Sequence, residues 1–368
     1  MSSCYQAISL FSGAGGLDIG FSQAGINVVW ANDFDKDACR TYASNLGNHI
    51  KCGDLNDYLE GLRDYSGIDF LFGGPPCQGF SVAGKMDIHD PRSQLVWAFM
   101  KAVKYTKPKA FVMENVRSLA SLDKFSHIRR GLIAEANRLG YSTDLVVLNA
   151  KNFGVPQSRE RMFLVGVKNS SYDFCFNHVI YKYISPEISV KQAIKHLGPA
   201  GTSKNKRVCN AKITLASSPV LRKSPYAGML FNGQGRPINP ELPSCTLHAS
   251  MGGNRTPIVD EEHLYNNKKS WIEFYHHALI HGARDLPDKA PDHLRRLTVD
   301  EAILLQTFPA NYIFHGTQSS VYRQIGNAVP CNLAYAVAKS VIQLVEAKDL
   351  HHLSEVSPQL RLSLPLSG

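Results

Sequence analysis

Residues 7–24 read A-I-S-L-F-S-G-A-G-G-L-D-I-G-F-S-Q-A, and this stretch decides the fold class. A short apolar run (7–11) is followed by a glycine-rich loop and then an amphipathic segment (17–24): strand, loop, helix. The unit repeats along the chain. INVVWA (26–31) precedes a helix-like 36–45, and a brief run follows at 50–52. IDFLF (68–72) precedes 93–105, AFVM (110–113) precedes 125–139, and DLVVL (144–148) comes next. Apolar strands alternating with amphipathic helices predict an α/β fold, a doubly wound, mostly parallel sheet covered on both faces. RMFLVGV (161–167) reads as a further strand that closes an edge hairpin.

Ligands in such sheets bind beyond the carboxyl ends of the strands, and that is where this chain keeps its chemistry. Gly13, Ala14, Gly15 and Gly16 follow the first strand, Asp33 ends the second and Asp54 follows the third. Cys77 follows the fourth and Glu114 the fifth. The glycines allow a tight turn and close approach of a ligand to a helix N-terminus. A dinucleotide fingerprint, G-x-G-x-x-G, fails here because its third glycine is replaced by Asp18. Asp33 still stands where a carboxylate can bind a ribose diol, so an adenosine-containing cofactor fits better than a nicotinamide one. A purely structural turn is the competing reading of this loop.

In G-G-P-P-C-Q-G-F-S (73–81), two prolines hold Cys77 rigidly at a strand end, which suits a nucleophile better than a packed core thiol. A free thiol ionises near pH 8.5, so a nearby positive charge would have to favour the thiolate. E-N-V (114–116) lies one strand–helix–strand crossover later. Adjacent parallel strands would carry Cys77 and Glu114 to one edge, where a carboxyl group can hold a proton on a heteroaromatic nitrogen. In Q-S-R-E-R (157–161), Arg159 and Arg161 sit two apart on an extended segment and offer donors to a carbonyl oxygen or a phosphate. Salt bridges on a surface hairpin are the alternative there.

Composition narrows the class. Hydrophobic residues make up 44% and charged ones 19%, as in ordinary globular proteins. The N-terminus has no basic segment leading into a long apolar run, and no stretch approaches the roughly 20 apolar residues that span a bilayer. The expectation is a cytoplasmic or nuclear protein with no membrane attachment. The eight cysteines are scattered without a C-x-x-C pair, so neither a zinc site nor a redox dithiol is expected, and no metal at all. A net charge of +9 suits a polyanionic partner, although a solvated basic surface has the same composition. Lys204, Lys206, Arg207, Lys212, Arg222, Lys223 and Arg236 are concentrated in one stretch, and Arg284, Arg295 and Arg296 follow it.

From about 185 to 290 the chain is rich in Pro, Gly, Ser, Asn and basic residues with weak periodicity, which predicts a smaller domain of irregular β and loop structure. Helical character returns at 298–306 and 334–345.

Read in order, F-S-G-A-G-G (11–16), N-D-F (32–34), G-D-L (53–55), P-P-C-Q-G-F-S, E-N-V and Q-S-R-E-R resemble the DNA (cytosine-5) methyltransferase family, bacterial restriction–modification type. R-L-T-V-D-E-A-I-L-L-Q-T-F-P (296–309) and Y-R-Q-I-G-N-A-V-P (322–330) extend the resemblance through most of the chain. Thr307 departs from it, standing where the family usually has Gly, and no catalytic consequence is expected.

The resemblance implies a Rossmann-like S-adenosylmethionine-dependent fold and a discontinuous catalytic domain, 1–183 plus 318–350. It implies a small domain at 184–317 with a target recognition region near 199–290, and a C-terminal tail at 351–368. S-adenosylmethionine would lie over Phe11, Gly13, Ala14, Gly15, Gly16 and Leu17, with Asp33 on the ribose, Phe34 stacked on adenine, and Asp54 on its amino group. Leu55 and Pro76 would border it, and Asn327 and Ala328 would close the methionine end. Cys77 would add to C6 of a cytosine flipped out of double-stranded DNA. Glu114 would act on N3, while Arg159 and Arg161 would grip the O2 side. Gln78, Ser81, Lys85 and Arg92 would belong to a loop closing on the DNA. A T-L dipeptide, Thr246–Leu247 or Thr214–Leu215, resembles a feature of family recognition domains, and the sequence does not choose between them. G-G-N-R-T-P (252–257) reads as a turn rather than a base reader. The resemblance further implies a monomer, with a cognate restriction endonuclease acting on the same site without a stable complex. A tRNA cytosine methyltransferase of the same fold and a catalytically silent DNA-binding protein are the rival readings.

Overall fold

The computed structural model describes residues 5–76, 94–168, 174–283 and 285–347. Cys77, Gln78, Ser81, Lys85 and Arg92 lie outside the described residues, as do Arg284 and the tail expected at 351–368.

The alternating units fold as β1 (Tyr5–Leu10), α1 (Gly16–Gln23), β2 (Ile26–Asp33), α2 (Lys36–Leu46), β3 (Ile50–Cys52) and α3 (Leu55–Tyr58). Then come β4 (Phe70–Gly73), α4 (Leu95–Thr106), β5 (Ala110–Val116), α5 (Arg117–Ser121), α6 (Ser126–Arg138), β6 (Tyr141–Asn149) and β7 (Glu160–Lys168). They make one seven-stranded sheet in the order β3-β2-β1-β4-β5-β7-β6. The pairings from β3 across to β5 are parallel, while β7 runs antiparallel to both its neighbours. The hairpin expected around 161–167 therefore sits at one edge, but β7 is its inner strand and β6 the outer one.

The sheet is buried on both faces, as its near-continuous apolar strands require. Phe21 of α1, Tyr42 of α2, and Phe72, Val112 and Phe163 of the sheet belong to one cluster. Leu71, Phe111, Phe99 of α4 and Leu132 of α6 belong to the other. A buried residue of this size contributes roughly 1.5–3 kcal/mol of burial free energy.

Beyond the sheet come α7 (Phe176–Ile180), α8 (Val190–Ile194), β8 (Leu215–Val220), β9 (Met229–Phe231), β10 (Ile258–Asp260), α9 (Glu261–Asn266) and α10 (Trp271–Ile280). The described residues end with β11 (Leu294–Arg296), α11 (Val299–Leu305), α12 (Gln318–Asn327) and α13 (Cys331–Glu346). β8 with β9 and β10 with β11 form two small antiparallel sheets. Helices α9 and α10 are additions to the β and loop structure expected for 185–290. Ser270 caps α10 by accepting from the Glu273 amide, and Trp271 stacks on Tyr275 one turn later at 4.9 Å.

The stretch Gln318–Glu346 is apolar and long enough to pass for a membrane span by mean composition alone. In the fold it is two helices, α12 and α13, and 67% of its apolar window is buried. Its α13 packs on α1 so closely that a Cβ on Gly20 would lie 2.4 Å from the Tyr335 nitrogen. The end of the described chain thus closes over the beginning.

Candidate active site

The glycine loop follows β1 through a left-handed Phe11 (φ +54), and Gly13 and Gly15 also take positive φ. Phe11 and Gly13 remain half-buried, whereas Ala14, Gly16 and Leu17 are buried. The packing around Gly16 is tight enough that a Cβ there would lie 2.4 Å from the Val329 carbonyl oxygen and 3.1 Å from the Ala328 Cβ. That contact brings the half-buried Ala328 against the loop, with the exposed Asn327 one residue before it. Tyr312 fixes the loop from behind by donating to the Ala14 carbonyl at 2.6 Å.

Asp33 ends β2 and ties two segments together. One carboxylate oxygen accepts from the Gly13 amide at 2.7 Å and the other from the Asp35 amide at 2.8 Å. Burial pushes its pKa upward, with the two amide bonds opposing that. Phe34, next along, is 76% exposed. An aromatic ring left in water beside an anchored carboxylate suits a nucleoside, with the ring for the base and lone pairs for the sugar. Asp54 is exposed and caps α3, its Oδ1 accepting from the Asn56 amide at 2.9 Å. The Leu55 side chain is buried in the core at 2% exposure, so what Leu55 can offer a ligand is backbone.

Asp18, the residue that broke the dinucleotide fingerprint, is fully buried behind the glycine loop. Tyr42 donates to its Oδ1 at 2.8 Å and lies 3.0 Å from the His49 Nε2. Burial, partly offset by the Tyr42 hydrogen bond, raises the Asp18 pKa to about 7.

The other half of the edge lies over β4 and β5. Glu114 lies within β5 rather than beyond it, paired with Phe163 of β7. Its carboxylate meets Arg161, with 2.9 Å between Nε and Oε1, and both side chains are largely buried. A Cβ on Gly74 would lie 2.7 Å from the Glu114 Oε2, so the carboxylate sits directly over the chain leaving β4. Burial raises the Glu114 pKa, and Arg161 and then Arg159 oppose the rise. Asn115 donates from Nδ2 to the Pro75 carbonyl at 3.1 Å, which ties the start of P-P-C to β5. Pro76, half-buried, is the last described residue before Cys77.

The profile of the C-5 cytosine-specific DNA methylase family matches residues 5–343. The chain belongs to that family. Among its relatives, the Type II methyltransferase M1.HphI of Haemophilus parahaemolyticus is 33% identical over 92% of this chain and 86% of its own length. The Type II methyltransferase M.FnuDI of Fusobacterium nucleatum is 31% identical over 93% of this chain and 95% of its own. In fold, the chain is similar to the crystal structure of S. pombe Dnmt2 methyltransferase, with a TM-score of 0.63 at 18% identity, covering 95% of this chain and 99% of that one. The methylase transfers a methyl group from S-adenosylmethionine to C5 of cytosine in DNA.

In this DNA methylase the two arginines of Q-S-R-E-R have different surroundings. Arg159 is 1% exposed, and it donates to the Leu247 carbonyl at 3.0 Å and the Gly326 carbonyl at 2.8 Å. Gln157 accepts from the Leu247 amide at 2.9 Å and donates to Gln306 at 2.6 Å. Gln306 in turn donates to the carbonyls of Ile325 and Ala328. One buried polar network therefore joins the β6–β7 hairpin, the T-L dipeptide, α11 and the turn that meets the glycine loop.

The network takes in one of the two T-L dipeptides. Thr246 donates its hydroxyl to the Ser158 carbonyl at 2.9 Å, and Leu247 is fully buried. The Leu247 side chain is thus a core contact at the junction. Leu215, in the other dipeptide, opens β8, paired with Phe231 far from this network. Asn115, Gln157 and Gln306 all lay inside motifs visible in the sequence. Their partners are distant in the chain, so their roles were not.

Proposed function

We propose that this methylase acts through a covalent Cys77–cytosine intermediate, with Glu114 and Arg161 holding the base. The observation that carries the reading is the buried Glu114 carboxyl, paired with Arg161 and seated over Gly74, three residues before Cys77. In this reading the Cys77 thiolate forms a bond to C6 of a cytosine turned out of the duplex. The ring electrons move toward N3, where the Glu114 carboxyl shares its proton, and the resulting enamine makes C5 nucleophilic. Arg161 steadies Glu114 and the O2 side of the base, and Arg159 positions Arg161's strand against the small domain. S-adenosylmethionine supplies an electrophilic methyl group. A base then removes the C5 proton, the ring electrons expel Cys77 from C6, and 5-methylcytosine is released.

The donor would be held by Phe11, Gly13, Asp33 and Phe34, with Ala14, Gly15, Gly16 and Leu17 shaping the loop and Asp54 at the adenine amino group. Ala328, packed on Gly16, and its neighbour Asn327 would close the methionine end. Residues 1–183 with 318–350 would form the catalytic unit, and 184–317 the small domain that reads DNA in the region 199–290. Gln78, Ser81, Lys85 and Arg92 would serve the DNA side. The restriction–modification names of the relatives support a modification enzyme, monomeric and working at the nucleoid in the cytoplasm, with a cognate endonuclease acting on the same site.

Bisulfite sequencing of DNA from cells expressing the wild type or Cys77→Ser tests this. New 5-methylcytosine at a defined sequence is expected with the wild type alone. A 5-fluorocytosine duplex should trap the protein in a denaturation-resistant adduct, since fluorine cannot leave as a cation. Trapping that survives Cys77→Ser would remove Cys77 from the mechanism.

A further inference from the structure

The arginines of the small domain fall into two classes. Arg207 donates from Nε to Asp300 at 2.7 Å, and Arg295 bridges Glu261 and Glu301 at 2.6 Å each. Arg296 is buried and donates to the Thr256 carbonyl at 2.8 Å. These cations are committed to the protein's own carboxylates and carbonyls, so they are poor candidates for gripping a substrate. Arg236 and Arg255 are different. Both are exposed, and neither has a carboxylate within ion-pair distance among the described residues.

The backbone sets these two side by side. Gly235 donates to the Asn254 carbonyl at 3.0 Å, Ile258 to the Arg236 carbonyl at 3.0 Å, and Ile238 to the Ile258 carbonyl at 2.8 Å. Pro237 and Ile258 pair in a parallel bridge. Gly235 permits the approach, since a Cβ there would lie 2.1 Å from the Thr256 carbonyl oxygen. A turn closed by the Thr256 amide on the Gly253 carbonyl at 2.9 Å carries Arg255 to the surface. G-G-N-R-T-P is thus a turn, as the sequence suggests, and it presents a cation.

His248 ties this turn to the Arg159 clamp. It directly follows Leu247, whose carbonyl Arg159 clamps, and its own backbone presses on Gly326, where a Cβ would lie 2.5 Å from the His248 carbonyl carbon. Its ring is exposed. Burial of part of the ring lowers its pKa, as do Arg159, Arg236, Arg161 and Arg255 acting on it together. The Met251 amide donates to the His248 carbonyl at 3.2 Å, which leads the chain from the Arg159 clamp into the turn that carries Arg255.

We propose that Arg236 and Arg255, carried side by side on these two backbone segments, form a seat for a backbone phosphate of the DNA strand beside the target cytosine. This rests on reading Glu114 and Arg161 as the base pocket. Two unpaired guanidiniums on adjacent segments match the two free oxygens of a phosphodiester. A phosphate contact of this kind fixes position and carries no sequence information.

The test is the binding of a fluorescein-labelled duplex by wild type and by the double variant Arg236→Gln/Arg255→Gln, across a salt series. Each phosphate that the protein no longer neutralises should lower the slope of log affinity against log salt by roughly 0.9. The expected result is a fall of about one in slope and about tenfold in affinity near 0.1 M salt, equal on methylated-site and unrelated duplexes. Arg236→Lys/Arg255→Lys should recover most of both. An unchanged slope and affinity in a variant with wild-type urea midpoint would overturn the seat. Weakening confined to one sequence at unchanged slope would make the pair base readers and equally overturn it. Should the double variant fail to fold, each single substitution reads the same slope. Wild type that methylates no cytosine in DNA would defeat the wider reading; an active wild type with an unaltered variant slope defeats the seat alone.

Discussion

The Nε of Arg161 lies 2.9 Å from the Oε1 of Glu114, in a pair that spans β5 and β7 at the edge where β4 runs toward Cys77. Burial alone would leave Glu114 with a strongly raised pKa, and Arg161 holds that rise in check. The carboxyl group therefore keeps its proton to higher pH than an ordinary glutamate, which an acid acting on N3 requires. Glu114→Gln should lower the single-turnover rate by about 10²–10⁴ while leaving S-adenosylmethionine affinity unchanged. In the wild type the rate should fall as rising pH ionises Glu114. Arg161→Ala removes the cation that favours the anion, so its falling limb should lie at higher pH. Single-turnover rates across the pH range check both, and a limb that stays put in Arg161→Ala would separate the pair from the chemistry.

Gly74→Ala offers a test of the same geometry without touching charge. The new methyl group would lie 2.7 Å from the Glu114 Oε2, so the carboxylate must move. Activity should fall at least tenfold, because displacing a catalytic group by about 1 Å costs on the order of 10² in rate. Donor binding, read by calorimetry, should be spared. Wild-type activity would mean that Glu114 is not held over Gly74.

Phe34 is a surface aromatic whose removal should cost the fold little. Phe34→Ala should change unfolding free energy by no more than about 0.5 kcal/mol and weaken S-adenosylmethionine binding about tenfold, as expected when a stacking partner is removed. Equal donor affinity in the variant would take Phe34 out of the site.

Asp18 makes stability depend on pH. Its folded pKa of about 7 lies above that of an unfolded aspartate, so the folded protein holds a proton that the unfolded chain releases. The stabilisation is complete below about pH 4 and is lost as pH rises through about 7. Urea unfolding of wild type and Asp18→Asn at pH 5.5 and 8.5 isolates the effect. The variant should gain about 2 kcal/mol relative to wild type between those two values. A constant difference would show that Asp18 does not titrate in this range.

Arg159 holds two carbonyls that are buried with it. Arg159→Met should destabilise the protein by about 2–4 kcal/mol, since those acceptors lose charge-assisted partners. Arg159→Lys should rescue little, because one ammonium cannot reproduce the fork that reaches Leu247 and Gly326 together. Urea midpoints decide this, and full stability in either variant would rule out the clamp.

The parallel sheet and its ligand edge were legible because apolar runs, glycines and carboxylates recur at strand ends, over windows shorter than a helix. Glu114, Asp33 and the glycine loop all sit on that edge for this reason. The Arg159 clamp was not legible, since its acceptors Leu247 and Gly326 lie 88 and 167 residues further on. Nor was α10, whose helix is fixed by the Ser270 cap and by rings that pack on β9 rather than by clean periodicity. Thr307 shows the same limit in miniature. It takes φ +58, a left-handed conformation that explains a family preference for Gly, and its hydroxyl accepts from the Asn332 amide at 3.1 Å. That bond offsets backbone strain of about 1–2 kcal/mol.

The packing of α13 on α1 gives this enzyme a built-in order of assembly. The surfaces that wall Gly16 and Gly20 come from Val329, Ala334 and Tyr335, almost the last elements of the described fold to be made. At synthesis rates of roughly 5–20 residues per second, the glycine loop emerges some tens of seconds before its other half. A nascent chain still on the ribosome therefore carries the carboxylates and strands of the site without the wall behind its donor loop. Competence to methylate is expected only once α13, the last helix among the described residues, has docked on α1.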